Sequence, residues 1–149
     1  MVLLQLKGRG IVEGVAMGEI LISKNTLSFL GGIDKNTGIV IDPKSDLYKK
    51  KISEKILYIT ESVGSTVGAY IIYTIGRKGV GPRAIICYKA DSMLVAGCAI
   101  SNIPLIDGIR YEKIPIFSKY CAVNGKEGRL LLADNLNELV QTESLDIKS

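Results

Sequence analysis

The middle of the sequence alternates strand-like and helix-like segments, and this alternation restricts the fold more than any other feature. "KILYI" at 55–59, "RAIICY" at 83–88 and "IPLI" at 103–106 have the length and β-branched composition of buried strands. Between them, Val67 to Arg77 and Asp91 to Ser101 are runs of small and apolar residues over ten or more positions with single glycines only, which predicts helices. The predicted order is β-α-β-α-β.

Strand-like segments also precede and follow this core. The N-terminal ones are Val2 to Leu6, Gly18 to Ile22 and Gly38 to Ile41. After the core, "NGKEG" at 124–128 lies between two apolar runs, a pattern typical of a β-hairpin. Parallel crossovers in the middle and antiparallel strands at both ends predict an α/β fold, with a mixed sheet or closed barrel flanked by helices.

Length and composition fit one compact domain over residues 1–149. A chain of 149 residues that is 47% hydrophobic can bury a substantial core, and no internal repeat or linker divides it. Leu136 to Val140 is a third helix candidate. The polar segment that follows, "QTESLDIKS" at 141–149, is expected to fray.

The sequence contains no histidine, and this absence excludes several kinds of chemistry. Ser-His-Asp and Cys-His catalysis, HExxH metal sites and phosphohistidine carriers all need an imidazole. The net charge of +4 is small, and its densest cluster, Tyr48 to Lys51, lies in a polar stretch that resembles a solvated loop. Because no basic stripe is interleaved with aromatic residues, we expect no nucleic-acid partner.

We expect a cytoplasmic protein without a membrane partner. No run of about twenty apolar residues could span a bilayer, and the N-terminal segment breaks at glycines instead of forming a signal-peptide core. The three cysteines, Cys87, Cys98 and Cys121, have no paired spacing and lie among apolar neighbours. This pattern predicts buried thiols in a reducing compartment and no metal site built from this chain alone.

Ser65 lies between glycines in "TESVGSTVGAY" at 60–70, where a predicted strand leads into a predicted helix. As a helix cap, its hydroxyl would accept a hydrogen bond from an unpaired backbone N–H, worth about 1 kcal/mol. As a functional residue, it would use the partial positive charge and the N–H donors of the helix N-terminus, which bind anions and favour a serine alkoxide. Gly64 and Gly68 permit close approach of backbone or ligand and do not decide between the two.

A second glycine cluster, "LSFLGGIDKNTG" at 27–38, has an apolar part at Phe29 and Leu30 and a turn at Gly31 and Gly32. A surface loop with a hydrophobic anchor is one interpretation. A loop of this length is also suited to act as a lid or a docking edge. The residues alone leave both interpretations open.

Four segments of the chain share a pattern with a known family: "LKGRGIVEGVAMGEILIS", "LSFLGGIDKNTGIVIDPKSDL", "GSTVGAYIIY" and "GPRAIICYKADSMLVAGCAISNIPLID". In order and with similar spacing, over about residues 6 to 109, they closely resemble the small subunit of archaeal aconitase-X type dehydratases. One position pair departs from the pattern of that family, because Asp91-Ser92 stands where a Glu-Pro pair is expected. The shorter acid bears on the choice of substrate.

The resemblance implies a swivelling β/β/α domain that closes over a large subunit carrying a [4Fe–4S] cluster. It implies an enzyme, a hydro-lyase active only with that partner. The composite enzyme would remove water from (R)-5-phosphomevalonate to give trans-anhydromevalonate 5-phosphate in the archaeal mevalonate pathway, with an iron of the partner's cluster as Lewis acid for the leaving hydroxyl. In related aconitases a serine of the swivel domain is the general base, and the matching residue here is Ser65.

The implied chemistry places demands on the segment around Ser65. Abstraction of a weakly acidic C–H proton needs a strong base, whereas an unperturbed serine hydroxyl is almost never ionised at neutral pH. A helix N-terminus and the N–H groups of the turn would lower the pKa of that hydroxyl. We therefore predict Ser65 as the catalytic base. The candidates for substrate binding are Gly64, Thr66 and Gly68, which shape the turn, and Phe29, Leu30, Gly31 and Gly32, a loop facing the substrate or the partner.

Three cationic side chains are further candidates for attracting the substrate phosphate. Arg9, Arg77 and Lys78 have the charge to attract a phosphate, although a solvated surface position is the favoured interpretation of each.

Two alternative functions stay open. One alternative function is the same dehydration on another hydroxy acid. The other is a non-catalytic swivel-type module that binds a protein or a small anion and in which Ser65 only caps a helix.

Overall fold

A computed structural model describes residues 3–63 and 67–140 of the chain, without the side chains of residues 62 and 63. The helices are α1 (Val67–Arg77) and α2 (Ser92–Ser101), with a 3₁₀ turn at Tyr111–Lys113 and a helical segment at 136–140. The strands are β1 (Leu3–Lys7), β2 (Arg9–Val12), β3 (Val15–Ile22), β4 (Leu27–Ser28), β5 (Ile56–Val63), β6 (Ala84–Lys89), β7 (Leu105–Asp107), β8 (Tyr120–Asn124) and β9 (Arg129–Ala133).

The described strands form one mixed sheet in the order β1-β9-β8-β3-β5-β6-β7-β2, and β4 pairs with β5 beside this path. Strands β3, β5, β6 and β7 run parallel to their neighbours in the centre. The pairs β1–β9, β8–β9, β3–β8 and β2–β7 are antiparallel. The predicted parallel core with antiparallel strands at both ends is confirmed.

The sheet closes on itself through Gly8. Strands β1 and β2 lie at opposite ends of the strand order, yet Gly8 alone separates them in the chain. Eight strands spaced by about 4.8 Å would place these ends some 34 Å apart in a flat sheet, whereas one residue spans only about 3.5 Å. The sheet is therefore curved into a barrel. Any side chain at Gly8 would clash, because a Cβ there would lie 2.2 Å from the carbonyl oxygen of Asp107.

Side chains of the central strands alternate between two hydrophobic clusters. Along β5, Ile56 and Tyr58 face the cluster inside the barrel, and Leu57 and Ile59 face the cluster beneath the helices. Burial on both faces explains why the first half of β5 and most of β6 are continuously apolar, as parallel strands usually are. The buried Tyr58 hydroxyl donates a hydrogen bond of 2.7 Å to the carbonyl oxygen of Ile109, and burial raises the pKa of Tyr58 to about 12.

The two helices pack closely against each other through glycines. A Cβ on Gly97 of α2 would lie 3.0 Å from the Cβ of Ile72 on α1. At the other end of the contact, a Cβ on Gly68 would lie 3.0 Å from the Sδ of Met93. In the described part of the chain, no helix is long and apolar enough to cross a membrane.

The predicted hairpin at 124–128 is confirmed. Strands β8 and β9 pair directly, and the side chain of Asn124 accepts hydrogen bonds from the backbone N–H groups of Lys126 and Glu127. The turn ends at Gly128, whose φ of +74° and hydrogen bond to the Asn124 carbonyl close the connection. An Asn side chain that satisfies the turn's own N–H groups is the usual reason for its preference here.

One predicted strand is wrong. Residues Gly38 to Ile41 do not form a regular strand, since Ile39 and Val40 make only isolated bridges to Lys51 and Ile33. The reason lies at Gly38, which has a φ of +74° and whose Cβ would lie 2.3 Å from the carbonyl oxygen of Val80. The segment is a folded loop that buries Val40, because its apolar residues fill the cluster beneath the helices.

Candidate active site at the carboxyl edge of the parallel strands

The carboxyl ends of the four parallel strands meet at one edge of the barrel, which we call the carboxyl edge. Open α/β sheets bind ligands at this edge, because loops and helix N-termini converge there. Its members come from chain segments far apart in sequence. They are Ser23 and Lys24 after β3, Val63 at the end of β5, Ala90 and Asp91 after β6, and Gly108 to Arg110 after β7.

Three of the predicted site residues, Gly64, Ser65 and Thr66, lie outside the described residues. The elements on either side are described: β5 ends at Val63 and α1 begins at Val67. The predicted strand-to-helix junction around Ser65 is therefore present in the chain at the carboxyl edge. The role of Ser65 as a base stays a prediction.

The second predicted segment, Phe29 to Gly32, begins at the same edge. The short strand β4 runs parallel to the end of β5 and pairs Ser28 with Val63, so the two strands end side by side. Phe29 is completely buried in the cluster beneath the helices, whereas Leu30 is 48% exposed. The loop is thus anchored by Phe29 and presents Leu30 outward, which agrees with the predicted hydrophobic anchor.

Glycines in these segments have identifiable backbone reasons. Gly31 has a φ of +81°, and a Cβ on Gly32 would lie 2.1 Å from the carbonyl oxygen of Ser28. Gly68 is buried in the first turn of α1 against Met93. Close helix packing therefore explains Gly68, and its predicted part in a substrate-binding turn stays a prediction.

Two adjoining clefts open at the carboxyl edge, and they share Lys24, Thr60 and Glu61. The larger cleft, of about 600 Å³, extends over Asp42 and its neighbours. The smaller cleft, of about 350 Å³, extends toward Arg110 and lies between two tyrosines. We call this smaller space the Lys24–Arg110 cleft. It borders Thr60 and Glu61 in the second half of β5, the strand that precedes Ser65 in the chain.

Hydrogen bonds fix the backbone of Lys24 at the entrance of both clefts. The buried Ser23 hydroxyl donates to Asp46 Oδ1 at 2.7 Å, and Asp46 Oδ2 accepts from the Lys24 N–H at 2.9 Å. From the other side, the Thr60 hydroxyl donates to the Lys24 carbonyl oxygen at 3.0 Å. The ammonium group of Lys24 lies 5.7 Å from the centre of the Tyr111 ring. A cation is therefore held at a defined place beside β5.

The second cation of the cleft, Arg110, is held by an aromatic residue of β6. Its guanidinium lies 4.6 Å from the centre of the Tyr88 ring, and Nη2 donates to the Tyr88 hydroxyl at 3.0 Å. Stacking on an aromatic ring orients the guanidinium without neutralising its charge. Sequence analysis missed Lys24 and Arg110. Their positions directly after strands of the parallel core were the feature that could have identified them.

Arg9, a candidate for attracting phosphate, is instead paired. Nε and Nη2 of Arg9 donate to the two carboxylate oxygens of Asp107 at 2.8 and 2.7 Å. This hydrogen-bonded pair raises the pKa of the Arg9 guanidinium. Asp107 is 1% exposed and also accepts from the Ala90 N–H at 3.2 Å. The pair ties β2, β7 and the start of α2 together at the closing seam of the barrel.

The other two candidate cations lie at the far end of α1. Arg77 donates to the Tyr73 hydroxyl at 3.2 Å, and Lys78 donates to the Asn36 side chain. A helix rises about 1.5 Å per residue, so Arg77 is about 15 Å from the start of α1. These contacts favour the predicted surface role of both residues.

Asp91 caps α2. Its carboxylate accepts from the Leu94 N–H at 2.9 Å, in the position usual for an N-cap. Asp91, the acid that departs from the family pattern, thus accepts a hydrogen bond at the N-terminus of α2. This N-terminus lies beside that of α1, where Gly68 packs against Met93.

All three cysteines are buried, as predicted. Burial raises the pKa of Cys98 to about 12, and burial likewise raises the pKa of Cys87 and Cys121. Among the described residues, no three His, Cys, Asp or Glu side chains are grouped so that they could hold a metal ion. Buried, protonated thiols on separate elements do not fit an iron–sulfur cluster, whose ligands are thiolates.

The closed mixed barrel, its two external helices and the carboxyl-edge clefts define a swivelling β/β/α domain. The chain belongs to the aconitase X swivel domain family, whose sequence pattern matches residues 5–132. The crystal structure of Thermococcus kodakaraensis aconitase X in its holo form is similar, with a TM-score of 0.82 and 41% sequence identity over 87% of this chain and 98% of that one. The predicted family and fold are confirmed.

Two curated relatives from different archaea carry the same name. The phosphomevalonate dehydratase small subunit of Pyrococcus furiosus is 48% identical over 127 residues, which are 85% of this chain and 94% of that protein. The protein of the same name from Methanosarcina acetivorans is 43% identical over 136 residues, 89% of this chain and 93% of that protein.

Proposed function

We propose that this chain is the small subunit of a phosphomevalonate dehydratase, which removes water from (R)-5-phosphomevalonate to give trans-anhydromevalonate 5-phosphate. The observation that carries the proposal is the similarity to relatives of that name along almost their entire length, 94% for the Pyrococcus furiosus protein. Sequence similarity along a whole subunit is better support for a shared function than a shared fold is, because one fold serves many functions.

The proposal includes a large subunit that carries the [4Fe–4S] cluster. The relatives' name, small subunit, implies a larger partner. The described residues of this chain do not offer a ligand set for a cluster, since no suitable acidic or cysteine group is present among them. Within the composite enzyme, this chain therefore contributes side chains and hydrogen-bond donors, and the cluster belongs to the partner.

Ser65 is proposed as the general base that abstracts the proton alpha to the substrate carboxylate. Its support is its place in the chain, between the end of β5 and the first residue of α1. The N-terminus of α1 carries partial positive charge, and Lys24 and Arg110 border the same edge. Positive charge stabilises an alkoxide and so lowers the pKa of the hydroxyl.

The carboxyl edge is also proposed as the surface that faces the large subunit. Catalysis by Ser65 needs the substrate to lie between this edge and the partner. The exposed Leu30 beside the end of β5 gives this edge an apolar contact point, while Phe29 anchors the loop from inside. Closing the partner over this edge would exclude water from the base.

A reconstituted complex tests the proposal. The two subunits are combined anaerobically, complex formation is verified by size, and dehydration of phosphomevalonate is followed by product analysis. We expect turnover by the complex and none by either subunit alone. A complex with an intact cluster that leaves phosphomevalonate unchanged would overturn the substrate. A panel of other hydroxy acids would then test the alternative that the same chemistry serves another substrate.

A further inference from the structure

The Lys24–Arg110 cleft has the composition of a site for a phosphate group. We infer that Lys24 and Arg110 bind the phosphate of the substrate, an inference that rests on the proposed function. Both residues line the cleft of about 350 Å³ that opens beside Thr60. Arg and Lys are the usual partners of phosphate, because they offer charge together with several N–H donors.

Neither cation is neutralised by a carboxylate within the described residues. The guanidinium of Arg110 contacts the ring and the hydroxyl of Tyr88, and the ammonium of Lys24 lies over the ring of Tyr111. An aromatic ring orients a cation and leaves its remaining donors free for a ligand. The described ion pairs involve other cations, namely Arg9, Lys55, Arg83 and Arg129.

The cleft also contains two carboxylates, and their placement bears on the inference. Glu61 follows Thr60 on β5 and lines the cleft, and its register partner on β6 is the cation Lys89. Glu112 lies in the 3₁₀ turn after Arg110 and lines the cleft wall. The nearby negative charge of Glu112 would weaken phosphate binding. Removing this charge should therefore strengthen binding, whereas removing Lys24 or Arg110 should weaken it.

The distance from the cleft to the end of β5 suits one small substrate. Thr60 borders the cleft, and β5 continues for three residues to Val63. At about 3.3 Å per residue, this stretch is about 10 Å long. An extended phosphorylated six-carbon acid can therefore have its phosphate in the cleft while its reacting carbon lies near the end of β5.

The other candidate cations fit a phosphate less well. Arg9 is already engaged by both carboxylate oxygens of the buried Asp107. Arg77 and Lys78 lie at the end of α1 that is remote from residues 64–66. Lys24 and Arg110, by contrast, line one cleft at the carboxyl edge.

Steady-state kinetics of the reconstituted complex test the inference. We expect Arg110→Ala to raise KM for phosphomevalonate about 10- to 100-fold with a much smaller change in kcat, because a charge-assisted bond to a bound group is lost. Lys24→Ala should act in the same direction. Arg110→Lys should recover part of the affinity. Inorganic phosphate, used as a competitive inhibitor, should lose affinity for the Arg110→Ala complex.

Arg77→Ala is a matched control. Arg77 also lies beside a tyrosine ring and donates to its hydroxyl, but it does so on α1, away from the cleft. Its removal changes the net charge equally, so we expect KM within about twofold of wild type. Glu112→Gln should lower KM about twofold, because a repulsive charge near the phosphate is removed.

Two outcomes separate the inference from the proposed function. If wild type turns over phosphomevalonate and Arg110→Ala and Lys24→Ala change KM no more than Arg77→Ala, the phosphate site is wrong and the proposed function stands. If the wild-type complex leaves phosphomevalonate unchanged, the proposed function falls and the phosphate site falls with it. A rise in KM for the cleft variants alone, partly restored by Arg110→Lys, supports the site.

Discussion

The two edges of the parallel core differ in how their charged side chains are paired. At the amino edge, where β5 and β6 begin, a cleft of about 310 Å³ is lined by Glu19, Glu54, Lys55 and Arg83. Lys55 pairs with Glu19 at 3.2 Å, and Arg83 lies 4.0 Å from Glu54 and also donates to a backbone carbonyl. Each of these cations lies near a carboxylate, so the amino edge has little unpaired positive charge to offer an anionic ligand.

At the carboxyl edge, the cations of the Lys24–Arg110 cleft contact aromatic rings and a hydroxyl instead of carboxylates. Both helices also begin at this edge, and their N-termini add partial positive charge. The Asp91 carboxylate caps α2, whereas α1 has no acidic residue in its first turn and follows the neutral sequence Gly64-Ser65-Thr66. We therefore expect an anionic substrate to bind at the carboxyl edge.

The largest expected difference between the edges concerns Ser65. Ser65→Ala should lower kcat of the reconstituted complex by about 10²–10⁴-fold, because a positioned general base contributes about that much. Arg83→Ala at the amino edge should leave kcat within about twofold of wild type. Product formation is measured at matched complex concentration and cluster content. Normal turnover by Ser65→Ala would make the serine a helix cap and place the base elsewhere.

Two neighbouring residues of the loop after β4, Phe29 and Leu30, should differ strongly in how much their truncation destabilises the fold. Phe29→Ala should lower the free energy of unfolding by about 3–5 kcal/mol, because a fully buried aromatic side chain is lost from the core. Leu30→Ala should change it by less than about 0.5 kcal/mol, since Leu30 is half exposed. Denaturant titration of the isolated chain measures both. Equal losses would show that the loop is not anchored as described.

Alkaline pH should destabilise the interior that both edges share. Burial raises the pKa of Tyr58 and of Cys98 to about 12, whereas unfolded Tyr and Cys titrate near 10 and 8.5. The unfolded chain therefore loses protons first, and stability is fully present below about pH 8.5 and falls as pH rises toward 12. Urea titrations at several values between pH 8 and 11 measure this. A constant or rising free energy of unfolding would contradict the burial of these groups.

The smallest expected effect concerns the cap of α2. Asp91→Ala should cost about 1 kcal/mol of stability, because the N–H of Leu94 loses its acceptor. Asp91→Asn should restore most of that loss, since an amide oxygen also accepts the bond. Thermal unfolding of the three proteins provides the comparison. If Asp91→Asn is as unstable as Asp91→Ala, the carboxylate acts by its charge and not as a cap.

Local patterns in the sequence predicted the parts of the fold that local physics determines. Helix α1 has the predicted bounds, α2 differs by its cap alone, and the hairpin at 124–128 forms as expected. Strand β2 was missed, because "GRGIV" has little strand character and pairs only when the barrel closes at Gly8. Gly38 to Ile41 was predicted as a strand because apolar residues of a buried loop resemble those of a strand.

The candidate site was only partly visible in the sequence. The segment around Ser65 stood out through its glycines and its resemblance to a family. Lys24 and Arg110 did not, because they belong to different connections and are brought to one cleft by the register of the parallel strands. Arg9 was indistinguishable from other surface cations until the β2–β7 pairing placed it opposite Asp107.

Amide hydrogen exchange of this chain, alone and in complex with the large subunit, tests most directly whether the carboxyl edge is the functional edge. We expect the partner to slow exchange in peptides covering 23–33, 60–70 and 107–112, while peptides covering 52–55 and 80–84 at the amino edge exchange as in the free chain. Slower exchange confined to the amino-edge peptides, with the carboxyl edge unchanged, would contradict it.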